Sequence, residues 1–176
     1  ELGRWRLENT AVETFTIPDG VSEIPASCFY GSAITAMVVP ASVTSIGAWA
    51  FENPYYDTYY DNGNKSYLTS VTFTGTGVTE IPEGCFIYQK SLSSINLPEG
   101  VTTIGADAFN QCQISALTLP SSLEAIGQRA FSNNGITSLV IPDKVKRIDF
   151  SAFAYNNLET IDLPASIEVL ASTAFH

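Results

Sequence analysis

The chain has 176 residues, 45% of them hydrophobic and only 15% charged, which suits one domain with a substantial core and argues against disorder. Its formal net charge of −10, from 18 acidic against 8 basic residues, repels phosphate backbones, so nucleic acid is not an expected partner. Apolar runs extend only a few residues, so no membrane insertion is expected, and three scattered cysteines (Cys28, Cys85 and Cys112) are too few for a disulfide framework.

In chain order, Glu1-Leu2-Gly3-Arg4 reads as a mature or trimmed start, in keeping with a signal peptide already removed. Residues 1–11 fall outside the register of the remaining chain, and Trp5 and Leu7 are expected to cap the first unit of a repeat array. From Val12 onward the chain is self-similar. Seven segments align on Val12, Ile34, Leu68, Leu92, Ile114, Ile136 and Leu158, at spacings of 22, 34, 24, 22, 22 and 22. The units are therefore 12–33, 34–67, 68–91, 92–113, 114–135, 136–157 and 158–176.

Each unit opens with an apolar residue, two variable ones, then apolar–variable–apolar and usually proline, as in Ile136-Thr137-Ser138-Leu139-Val140-Ile141-Pro142. That alternation predicts a strand with one buried face, ended by a proline that offers no N–H to the ladder. A second apolar pair comes next, such as Val101/Ile104 or Leu123/Ile126, and predicts another short extended segment. Five residues after each pair stands a phenylalanine: Phe29, Phe51, Phe86, Phe109, Phe131, Phe153 and Phe175. Seven of the ten phenylalanines thus share one column, expected to stack as a spine. The stretch before it, such as Gly127-Gln128-Arg129-Ala130-Phe131, reads as a single helical turn. Pro25 and Pro82 take the glycine slot of that stretch, which rules out a left-handed requirement there. Asn133-Asn134-Gly135 and Asn156-Asn157 supply turn chemistry before the next strand.

The predicted fold is a repeat solenoid, a right-handed leucine-rich-repeat arc. A parallel β-ladder lies on its concave face, with second short β segments and single helical turns elsewhere. Glu124, Lys146 and Glu168 share one column and Asp107 and Arg129 another, so both are expected to form charge ladders between units.

The repeat is interrupted once, by residues 52–67, where sixteen residues replace the four or five of other units. Five of the chain's eight tyrosines fall there: Tyr55, Tyr56, Tyr59, Tyr60 and Tyr67. Insertions in solenoids emerge on one side, often the binding side, and tyrosine mixed with Ser, Asn and Gly is the composition of antibody-type contact loops. These five tyrosines are the candidate ligand contacts. Asp61-Asn62-Gly63 is also a strong turn signal, so a hairpin packed on the solenoid is the competing reading.

No catalytic or metal set emerges. His176 is the sole histidine, so neither Ser–His–Asp nor Cys–His machinery has a base, and no cofactor or metal is expected. The strand positions expected on the concave side, such as Ser93/Ser94/Asn96 and Thr137/Ser138/Val140, are small and neutral, which is poor material for acid–base work. Cys28 and Cys85 occupy the slot that Ala108 and Ala130 fill elsewhere, so they are expected as small buried residues.

The composite pattern L-x-x-I-x-L-P-x-x-V-x-x-I-G-x-x-A-F-x-x-C resembles the BspA-like leucine-rich repeat. The fourth unit carries it almost whole, with Leu92, Ile95, Leu97, Pro98, Val101, Ile104, Gly105, Ala108, Phe109 and Cys112. The resemblance covers residues 12 to 176, and Cys112 takes the family's recurrent cysteine position. It implies a secreted or surface-attached bacterial protein that binds a host protein or glycan without catalysis. The other reading is a structural module that associates end to end with copies of itself or packs in a larger parent protein.

Overall fold

A computed structural model describes residue 7, residues 10–53 and residues 68–176. Within them the chain forms thirteen short strands. The first seven are β1 (Glu23–Ile24), β2 (Ala36–Val39), β3 (Ser45–Ile46), β4 (Ser70–Phe73), β5 (Glu80–Ile81), β6 (Ser94–Asn96) and β7 (Thr103–Ile104). The rest are β8 (Ala116–Thr118), β9 (Ala125–Ile126), β10 (Ser138–Val140), β11 (Arg147–Ile148), β12 (Thr160–Asp162) and β13 (Val169–Leu170).

Every pairing is parallel and joins equivalent residues of neighbouring units, for example Leu139 with Ile161 and Ile104 with Ile126. The strand before the proline pairs as β2–β4, β6–β8 and β10–β12. The Val-Thr-x-Ile segment makes the longer ladder, β5-β7-β9-β11-β13, with β1–β3 ahead of it. This is the predicted solenoid with both of its extended segments. Alternation along β2 (Ala36 and Val38 exposed, Met37 and Val39 buried) places one side of each strand in the core.

The phenylalanine column stacks from Phe29 to Phe175, with centroids 5.1–5.6 Å apart and planes within 9° of parallel. Beside it the isoleucine column Ile24, Ile46, Ile81, Ile104, Ile126 and Ile148 is buried throughout. No unit could bury these faces alone, because each is covered by the next. At the start, Leu7 packs against the core and its N–H donates to the Cys28 carbonyl, whereas Trp5, the other expected capping residue, lies outside the described residues. In the seventh unit Ile161, Leu163, Val169 and Leu170 are exposed.

The predicted single helical turns are instead runs of hydrogen-bonded turns; no helix occurs among the described residues. The reason lies in the backbone. Ser27, Trp49, Asp107, Arg129 and Ser151 fill one column and all adopt φ between 53° and 56°, with Gly84 of the third unit at 60°. A second column, Gly31, Tyr88, Gln111, Asn133 and Tyr155, is left-handed too, at 55–64°. A left-handed residue stops α-helix propagation. It also turns N–H groups toward the next coil: Arg129, Phe131 and Asn133 donate to Phe150, Ala152 and Ala154 at 3.0, 2.7 and 2.9 Å. The turns thus form a third inter-coil ladder. The glycine slot ahead of them is not left-handed, as Pro25 and Pro82 required; a Cβ at Gly47 would come within 2.2 Å of Ala26 N in the coil beneath.

Candidate functional site

Asn134, Asn156, Gln89 and Cys112 occupy one column and close each coil. Asn134 Oδ1 accepts from the Ile114 N–H at 2.9 Å, while its Nδ2 donates to the carbonyls of Phe109 and Phe131 at 2.9 and 3.0 Å. Asn156 repeats this with Ile136, Phe131 and Phe153. Gln89 reaches the Leu68 N–H and the Phe51 carbonyl. Cys112 donates to the Phe86 carbonyl at 3.2 Å. The expected turn role of these asparagines is thus a bond between coils, and Cys112 is a buried donor as well as a filler.

Burial pushes the Cys112 thiol up to about 12, and Cys85 also lies well above its ordinary value. Neither supplies a thiolate nucleophile near neutrality. Cys28, Cys85 and Cys112 are all buried and unbridged. Among the described residues no group of three His, Cys, Asp or Glu side chains is placed to hold a metal.

The two expected charge ladders part company. Arg129 Nε and Nη2 bond Asp107 Oδ1 and Oδ2, both at 2.8 Å, in a two-pronged pair that raises the guanidinium's pKa. Glu124, Lys146 and Glu168 stand in register, but among the described residues no ion pair joins them; Arg147 bonds Asp149 of its own unit at 2.7 Å. Lysine on a solvated ladder gains little by committing to one partner, whereas the arginine fork fits one carboxylate.

The candidate ligand contacts Tyr55, Tyr56, Tyr59, Tyr60 and Tyr67 lie outside the described residues. The ends of their insertion are described. Phe51 and Phe86, on either side of it in sequence, stack at 5.1 Å with planes 1° apart, and β2 pairs β4 over four residues. Asn53 donates its N–H to the Ile87 carbonyl, and Leu68 is buried at the start of the third unit. The inserted residues therefore leave and rejoin the solenoid at its turn edge without widening the stack.

That edge holds exposed aromatic residues among the described ones. Trp49 is 40% exposed, and its indole covers the buried Gly84, where a Cβ would lie only 2.1 Å from Cδ1. Phe150 is 50% exposed and Tyr155 is also exposed in the sixth unit. These two and Trp49 were missed from sequence. Their signal was present, since each departs from the small or polar residue its column holds in most other units.

The chain matches the model of the BspA type leucine-rich repeat region, in six copies, over residues 1–75 and 56–176. Among solved structures it is similar to a leucine-rich repeat protein of T. pallidum, with 28% identity and a TM-score of 0.71, over 92% of this chain and 72% of that one. A leucine-rich cell surface protein of Faecalibacterium prausnitzii is 30% identical with a TM-score of 0.53, over 86% of this chain and 32% of that one. A Bacteroides ovatus leucine-rich repeat protein shares the fold, at 24% identity and a TM-score of 0.61, over 86% of this chain and 43% of that one. Against the latter two, the chain spans less than half of the similar protein's length. Among curated proteins the sequence has no match. With the family model matching most of its length and its coils stacked in that repeat's register, the chain belongs to the BspA-type leucine-rich repeat family.

Proposed function

We propose that the protein is a non-catalytic binding module of a secreted or cell-surface bacterial protein, which adheres to a host protein or glycan through its tyrosine insertion. The observation that carries this reading is the undisturbed stack across the insertion: Phe51 and Phe86 remain 5.1 Å apart, so the sixteen residues that stand here in place of four or five do not part the two coils. Residues beyond the four or five that other units use here are available for recognition, and Tyr55, Tyr56, Tyr59, Tyr60 and Tyr67 would give large contact area at low entropic cost. Surface location draws support from the similar F. prausnitzii cell surface protein.

The test is a binding screen over host matrix proteins and glycans. It compares the intact chain with a variant whose residues 52–67 are cut to the four-residue length of the fifth unit. A ligand held by the intact chain and lost with the insertion supports the reading. Equal binding by both moves the site onto the repeat surface. The second reading is a structural module that associates end to end with copies of itself. Light scattering that stays at one protomer's mass up to high concentration would count against it.

A further inference from the structure

The turn edge carries a row of side chains that the tyrosine insertion does not include. Trp49 lies over Gly84, next come Asp107 and Arg129 locked to one another, and Phe150 lies exposed beyond them. These residues belong to the second through sixth units, so Trp49 and Phe150 are four steps of the solenoid apart, each step 5.1–5.3 Å in the phenylalanine stack. Two exposed aromatic residues therefore lie along the turn edge on either side of a polar centre, Trp49 in its column and Phe150 one position ahead of it.

Packing alone does not account for this row. The column that holds Trp49, Gly84, Asp107 and Arg129, with Ser27 and Ser151 at its ends, is left-handed in six units, and five of them use a residue other than glycine. Glycine appears only in the third unit, where any side chain would strike the Trp49 indole. The bare position holds the ring in place while leaving it 40% exposed. A tryptophan in a left-handed conformation, seated on a glycine and still open to solvent, is poorly placed for core packing and well placed as a platform.

We infer that this edge binds a linear neutral oligosaccharide, with sugar faces stacked on Trp49 and Phe150 and hydroxyls bonded by Asp107 and Arg129 between them. One coil step is comparable to the length of one pyranose unit in an extended glycan, so successive sugars can keep register with successive coils. The Asp107–Arg129 pair offers both acceptors and donors yet is neutral as a unit. The chain's net charge of −10 disfavours an anionic ligand. An extended peptide fits less well, since Trp49, Gly84, Asp107 and Arg129 have already given their N–H groups to the next coil, leaving no edge for strand addition. The inference rests on the chain being a binding module but not on the insertion being its contact surface.

The test uses cellohexaose, maltohexaose and the hexamer of N-acetylglucosamine, each beside its disaccharide. Titration is followed by calorimetry and by indole fluorescence in a Trp5→Phe background, which leaves Trp49 as the sole tryptophan. At least one hexamer should bind at least tenfold more tightly than its disaccharide. Trp49→Ala should weaken it at least tenfold at unchanged melting temperature, with Trp49→Tyr restoring most of the loss. Phe150→Ala should weaken the hexamer but not the disaccharide. Binding of no hexamer, or equal binding by the folded Trp49→Ala variant, overturns the inference. Cutting the insertion separates the two ideas: sugar binding that survives it supports the strip. A host ligand lost with the insertion alone, and no sugar bound, leaves the proposed function standing and this inference refuted.

Discussion

Replacing Phe131 by alanine probes the feature on which the solenoid depends most. The ring is fully buried between Phe109 at 5.1 Å and Phe153 at 5.3 Å, each nearly parallel to it. Truncating such a side chain removes its transfer free energy and leaves a cavity that rigid coils on both sides cannot fill, a cost of about 3–5 kcal/mol. For a chain of this size that lowers the melting temperature by about 10 °C. Phe175 has one stacked neighbour, Phe153 at 5.6 Å, and is only partly buried. Its truncation should cost about half as much, since stability in a repeat array sums over neighbouring interfaces. Urea unfolding followed by circular dichroism measures both. A double variant with Phe109→Ala should show about 0.5–1.5 kcal/mol of coupling between the two rings. A Phe131→Ala variant as stable as the parent, or one no worse than Phe175→Ala, would refute the stacked-spine account.

Asn134→Ala strips partners from the Ile114 N–H and the Phe109 carbonyl together, and should destabilise by about 2–4 kcal/mol in the same assay, whereas Asn134→Gln retains part of the network. The buried thiols give a pH dependence of definite sign. Their folded pKa values lie above the usual thiol range, so above about pH 8.5 the unfolded chain releases protons that the folded chain keeps. Stability should therefore fall as pH rises from about 8.5 toward 12, by about 1.4 kcal/mol per pH unit for each thiol. Cys85→Ala/Cys112→Ala should flatten that slope in urea titrations between about pH 8 and 10. Gly84→Ala should be destabilising in the parent and much less so in a Trp49→Ala background, because the added methyl meets the indole and nothing closer; equal losses in both backgrounds would contradict that contact.

Much of this protein was legible in one dimension. The columns of isoleucine and phenylalanine recur at a fixed period, and a side chain that must be covered by the next coil can only be apolar, so Ile104, Phe109 and Leu92 announced the core without any coordinates. The two extended segments came from alternation and from the prolines that end the first of them. The five insertion tyrosines stood out because they broke the period. The surface aromatics Trp49 and Phe150 broke a column too, yet a single exposed ring carries no meaning until its neighbours are known.

The sequence by itself determined the period, the core columns and the solenoid, since each rests on residue type repeated at constant spacing. Only the tertiary structure decided what the turns are. Of Ser27, Trp49, Asp107, Arg129 and Ser151 only Asp107 is of a type that tolerates a left-handed backbone readily, so their chemistry as a column does not signal one. The stack imposes it, because alternate N–H groups there reach carbonyls of the next coil and a helix would spend them within its own. The same stack decided that Arg129 finds Asp107 while the Lys146 ammonium pairs with neither the Glu124 nor the Glu168 carboxylate, and that Trp49 rests on Gly84, contacts fixed by how one coil seats on the next.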